Sequence, residues 1–111
     1  VDYCPTPMRE ICYCLQQNVR TRFPGNENLA ISGFIILRFI CPALISPDSM
    51  GVIQELPSGD YRRALILITK VITNLASGVE FAQDKKEPFM VGTNVFIKEN
   101  VDKINKTFEK F

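Results

Sequence analysis

Gly33-Phe34-Ile35-Ile36-Leu37-Arg38-Phe39-Ile40-Cys41-Pro42-Ala43-Leu44-Ile45-Ser46-Pro47 is almost wholly apolar, with one arginine at its middle and proline behind it. The eight positions from Phe34 to Cys41 carry a single charge. A helix with no polar face is expected to be surrounded by protein. A run of about eight residues is also too short to cross a bilayer, which takes about 20. Arg38 must then either end at a surface groove or have a buried partner. A charge left buried and unpaired costs roughly 3–5 kcal/mol. Its guanidinium is therefore expected to aim at something fixed: a carboxylate, a row of backbone carbonyls or a partner molecule.

Outward from this stretch the pattern is helical on both sides. The helix that holds it is expected over about 27–41, because Pro42 disfavours helical geometry at Cys41. Ala43-Leu44-Ile45 is then at most one turn before Pro47. Upstream, Met8, Ile11, Cys12, Leu15 and Val19 recur at helical spacing. They predict a helix over 7–22, capped by Thr6, opened by Pro7 and ended by Phe23-Pro24-Gly25-Asn26. Downstream, 48–59 reads as a loop with one turn near Ser49–Ile53.

A third helix follows, capped by Ser58 or Asp60 and stopped by Gly78. Tyr61, Ala64, Leu65, Ile68, Val71, Ile72, Leu75 and Ala76 form its expected apolar face, while Arg62 and Arg63 read as a solvated pair. Asp84-Lys85-Lys86-Glu87-Pro88 reads as solvated surface, since its four charges cancel. Helical pattern resumes at Phe89 and Met90, breaks near Gly92 and restarts at Thr93 or Asn94, with Asn100 able to cap a further break. Phe96, Ile97, Val101, Ile104, Phe108 and Phe111 define one face of that last region. With no convincing strand, the expected fold is an all-α helical bundle of about four to six elements, and residues 1–111 are one domain or part of one.

Composition excludes several function classes. The 46% hydrophobic content is that of a globular chain. The net charge of +1 is spread, so nothing resembles a nucleic-acid footprint. Four cysteines without histidine or a repeated C-x-x-C spacing argue against zinc. Cys12 and Cys14 stand two apart on a helix and so face different ways. Reduced, mostly buried thiols are the expected state. No signal peptide or membrane span is read, and no metal or cofactor is expected. The absence of histidine removes the usual general base and triad, and no glycine-rich loop is placed to cradle phosphate. Glu10, Glu55, Asp60 and Glu80 are scattered, and Cys41 has only Arg38 as a basic neighbour. A recognition surface fits this inventory better than a catalytic centre.

Ile36-Leu37-Arg38-Phe39-Ile40-Cys41-Pro42-Ala43 resembles the signature of the Ras GTPase-activating protein domain: Phe-Leu-Arg-Phe, two variable residues, then Pro-Ala. Ile36 is the one departure. Arg22-Phe23-Pro24 and Ser46-Pro47 flank the motif as in the family. Lys70, Asn74 and Leu75-Ala76 resemble its second signature, and Phe96-Ile97-Lys98 its closing segment. The chain looks like the C-terminal part of such a domain, closest to Ras-directed activators of the neurofibromin type.

The resemblance implies a GTP-bound Ras-type small GTPase as partner and activation of its hydrolysis. In the family an arginine finger enters the partner's nucleotide site from a loop N-terminal to the region present here. By the same resemblance Arg38 braces the finger loop without being the finger. Leu37 is an apolar contact on the groove floor, and Pro42 and Ala43 shape the turn. Lys70 orders the groove through ion pairs beside the effector loop. Thr73 stands where relatives often have glutamine, and Asn74 matches a polar position in some of them. Ile36 and Phe39 complete the structural motif. This chain alone is expected to be inactive, and the parent protein to be cytoplasmic, recruited to the plasma membrane by other domains, with no membrane insertion of its own. The competing reading is a scaffold that binds the GTP-loaded GTPase without stimulating hydrolysis.

Overall fold

Two prolines set where the first helix begins. In the computed structural model, which describes residues 1–83 and 86–111, Pro5 is the N-cap of α1, Thr6–Arg22, and Pro7 lies in its first turn. Thr6 is thus the first helical residue and not the cap. Its hydroxyl accepts a hydrogen bond from Arg9 Nη2 at 3.3 Å. Cys12 and Gln16 are the buried residues of α1, and Gly25, at φ +86°, supports the turn that follows. Helix α2, Glu27–Ile35, starts beside Arg20, whose Nε lies 3.3 Å from Glu27 Oε1. The Glu27 main-chain N–H, and after it Arg20, hold that carboxyl below its usual range against an opposing desolvation.

The helix does not stop at Cys41. A π turn, Ile36–Ile40, follows α2, and a further α-helical turn, α3, Cys41–Ile45, follows that. The three run on as one rod, Glu27–Ile45. Pro42 lacks an N–H, and its ring would strike the carbonyl four residues back in a regular α-helix. The π turn widens the ladder just ahead of it: the Cys41 N–H bonds to Ile36, five residues back. Proline here reshapes the helix without ending it. The apolar run is correspondingly longer than the sequence suggests. At 19 residues and a mean hydropathy of 1.9, the rod is long and apolar enough to cross a membrane by length and composition.

Helix α4, Gly59–Ser77, has Ser58 at its N-cap without a side-chain bond and ends at Gly78, φ +66°. Its first residues stand clear of the core: Tyr61, Ala64 and Ile68 are exposed, contrary to the periodic expectation. Leu75, Ala76 and Thr69 are its buried positions. A 3₁₀ segment, Pro88–Thr93, leads into α5, Asn94–Phe108. Helix α5 is continuous: Asn100 caps nothing, and its amide donates back to the Phe96 carbonyl at 2.9 Å. Ile97 and Phe108 are buried as expected, while Phe96 is exposed.

The core is where α1, the rod, α4 and α5 meet. Cys12, Ile31, Ile36, Cys41, Ala76 and Phe108 form it. Two buried polar groups tie distant segments across it. Gln16 Nε2 donates to the Phe108 carbonyl at 2.9 Å, and Ser32 Oγ donates to the Ala76 carbonyl at 3.0 Å. No strand occurs among the described residues. The molecule measures 43 × 36 × 22 Å, about two helix diameters thick. Its radius of gyration is 15.5 Å, against about 13 Å for a compact domain of this length. It exposes 7757 Å², against about 6,200 Å² for a folded chain of this mass. The excess is carried in part by large apolar side chains standing on the outside.

Candidate partner-binding site

The π turn decides what the rod presents. Ile36 points inward, 9% exposed, and joins the core. The next four residues, Leu37, Arg38, Phe39 and Ile40, are all exposed. A π turn takes more residues per revolution than an α turn, yet four in a row still sweep more than half a revolution, so this chain covers only a narrow strip of the turn. Leu37, Phe39 and Ile40 expose 44%, 37% and 42% of their surface, a large amount for aliphatic and aromatic groups on one turn. Phe39 is steadied by Phe34, edge to face at 5.3 Å between centroids and 78° between planes.

Arg38 stands in the middle of this turn. It is exposed, and among the described residues it makes no hydrogen bond and no ion pair. The expectation of a helix surrounded by protein is therefore corrected. The rod packs one side on the core, and the π turn carries these four residues off that side. Of the two places left open for the guanidinium, it occupies the surface.

The far end of the turn is anchored to α4. Cys41 is buried, its Sγ 3.5 Å from Thr73 Oγ1. Pro42 and Ala43 are half-buried beside it. One turn before Thr73, half-buried Lys70 makes a charge-assisted hydrogen bond with Glu87. Glu87 was expected in solvated surface with its neighbours, and the structure corrects that. Lys86 is exposed, and Asp84 and Lys85 lie outside the described residues. Asn74 is half-buried and lines a cleft of about 650 Å³ with Val79, Phe81, Ala82 and Glu87. The side chain of Asn94 clamps the cleft's loop, accepting from the Phe81 N–H at 2.8 Å and donating to the Phe81 carbonyl at 3.0 Å.

The structure thus brings Cys41 and Thr73 into contact and sets Lys70, Thr73 and Asn74 along adjoining turns of one helix. It gives Arg38 no contact with any of them among the hydrogen bonds and ion pairs of the described residues. Sequence reasoning missed Glu87 as the partner of Lys70. The two are 17 residues apart on different segments, and no local spacing announces the pair.

Comparison with known proteins places this arrangement. The family model described as GTPase-activator protein for Ras-like GTPase matches residues 1–77, a span that includes the whole rod and all of α4. Ras GTPase-activating protein 1 of Homo sapiens is 43% identical over 102 residues, covering 89% of this chain and 10% of the relative. The Probable Ras GTPase-activating-like protein ngap of Dictyostelium discoideum is 41% identical over 105 residues, covering 92% and 12%. Inhibitory regulator protein IRA2 of Saccharomyces cerevisiae is 36% identical over 104 residues, covering 94% and 3%. The chain therefore spans only a small part of the length of each of these relatives. The match spans the widened turn and the lysine-bearing helix, and the chain belongs to the Ras GTPase-activating protein family.

Proposed function

We propose that this chain is the C-terminal part of a domain that accelerates GTP hydrolysis by a Ras-type small GTPase in its GTP-bound state. The observation that carries the reading is Arg38, an unpaired guanidinium held on an exposed apolar turn within the family match. Leu37, with Phe39 and Ile40 beside it, supplies apolar contact area. Arg38 donates to backbone carbonyls of a loop that lies N-terminal to this chain and carries an arginine finger. The finger neutralises charge developing on the phosphates and helps orient the attacking water. A braced loop presents that charge in a fixed place, so that little reorganisation is left for the chemical step.

Lys70 contributes a positive charge near the partner's effector loop, with Thr73 and Asn74 as neighbouring polar contacts. Pro42 and Ala43 shape the groove through the turn they close. The rod's long apolar run is read as a helix covered by protein, the buried side by this chain and the open side by the rest of the domain.

Single-turnover GTP hydrolysis by a Ras-type GTPase, with the full-length protein and its Arg38→Ala variant, tests the reading. The rate is expected to fall much more than the affinity for the GTP-loaded GTPase. Equal losses in rate and affinity would remove the bracing role. Binding without any stimulation by the unaltered protein would leave a scaffold.

A further inference from the structure

The π turn leaves one rung of the backbone ladder empty. In its register the Cys41 N–H bonds to the Ile36 carbonyl. The next rung would run from the amide of residue 42 to the Leu37 carbonyl, and Pro42 has no N–H. Among the described residues no side chain donates to that carbonyl either. Leu37 and Arg38 both stand on the exposed side of the rod. One short stretch therefore offers an unpaired acceptor in the main chain and an unpaired donor in the next side chain. Backbone carbonyls that lose their rung need another partner once water is excluded.

A donor and an acceptor on consecutive residues suit a backbone segment, which carries both carbonyls and N–H groups. The geometry points to the Leu37 carbonyl as a second positioning group, which accepts an N–H from the same loop that Arg38 holds by a carbonyl. This inference rests on the proposed function, and it adds a main-chain contact to it. Pro42 is then required for what it lacks. With an N–H at position 42 the ladder would close on the Leu37 carbonyl and withdraw it from the loop. The apolar groups of Leu37, Phe39 and Ile40 exclude water around the contact and so strengthen it.

The test is Pro42→Ala in the full-length protein, assayed by single-turnover hydrolysis with GTP-loaded Ras. Stimulated hydrolysis is expected to slow about tenfold, one hydrogen bond's worth, with affinity changed less than about twofold. In a double variant with Arg38→Ala the two losses should be less than additive, since both groups hold one loop. A wild-type rate for Pro42→Ala, or strictly additive losses, overturns the inference. If the unaltered protein does not stimulate hydrolysis at all, it is the proposed function that has failed.

A second measurement needs no substitution. Leu37-Arg38 is the one Leu–Arg pair in residues 1–111, so with ¹³C-carbonyl leucine in a uniformly ¹⁵N-labelled protein the Leu37 carbonyl is assigned by NMR through its coupling to the Arg38 amide nitrogen. A through-hydrogen-bond coupling from it to an amide outside 36–46, in the intact domain, supports the contact. A coupling to an amide of the rod itself, or none, overturns it.

Discussion

Gln16 and Phe108, 92 residues apart in the chain, are joined by a buried hydrogen bond from the glutamine amide to the phenylalanine carbonyl. The bond ties α1 to the last turn of α5, and Phe108 itself fills the core beside Cys12, Ile31 and Ala76. Residues 78–111 are thus part of the same folding unit as residues 1–77, which the family model matches. Gln16→Ala removes this buried bond while the Phe108 carbonyl keeps the Phe111 N–H at 3.2 Å, and is expected to cost about 0.5–1.5 kcal/mol in denaturant unfolding. Truncation after Ser77 removes Phe108 and Ile97 and should abolish cooperative unfolding. A truncated protein that melts as sharply as the parent would separate α5 from the core.

Ile36 and Leu37 are neighbours with opposite duties. Ile36→Ala empties a core position and should cost about 2–5 kcal/mol of stability. Leu37→Ala removes an exposed side chain and should change stability by less than about 0.5 kcal/mol. The same change should weaken GTPase binding by more than about fivefold if Leu37 is an apolar anchor. Thermal melts and equilibrium binding of the two variants read both quantities. The reverse pattern would mean that the widened turn is packed inward.

Lys70 and Glu87 are 43% and 29% exposed as side chains, so their pair is screened by solvent. Glu87→Ala is expected to cost no more than about 1 kcal/mol of stability. Lys70→Ala should instead slow association with the GTPase and flatten its dependence on salt. Stopped-flow association at two ionic strengths distinguishes the cases. An unchanged salt dependence would show that this lysine does not face the partner.

The cysteines should separate by accessibility. Cys14 is exposed, whereas Cys12 and Cys41 are buried. Brief alkylation of the native protein followed by peptide mapping should modify Cys14 well before the other two. Burial, and after it the nearby Cys4, push the Cys12 thiol up. The unfolded chain ionises this group near its ordinary value of about 8.5, so its contribution is complete below that pH. It is lost as pH rises towards the higher folded value. Melting temperature should therefore fall as pH rises above about 8.5, and Cys12→Val should reduce that slope.

Much of this fold was legible in local pattern. The apolar period of α1 and the glycine after α4 placed those helices to within a residue or two. The residues around Arg38 point to the family on their own. What local pattern could not supply was how many neighbours a helix has. An apolar run from Phe34 to Cys41 reads as buried on every side, yet this chain covers only one side of it. Proline at 42 reads as a stop because a regular α ladder cannot hold its ring, whereas a π turn accommodates it. Tyr61 and Ile68 fit the helical period, but the half of α4 that carries them extends past the core. Asn100 and Glu87 failed for a similar reason: each found a partner that spacing alone does not single out.

The surplus residue in the rod also constrains how such a sequence can change. Deleting any one position within Ile36–Ile40 would restore an ordinary ladder and swing everything beyond it by about 100°. Cys41 would then leave Thr73, and Pro42 would meet the carbonyl it now avoids. Adding a residue errs the other way. The length of this turn is a whole number with no serviceable neighbours, so drift can alter its side chains one by one but has no gradual path to a different count.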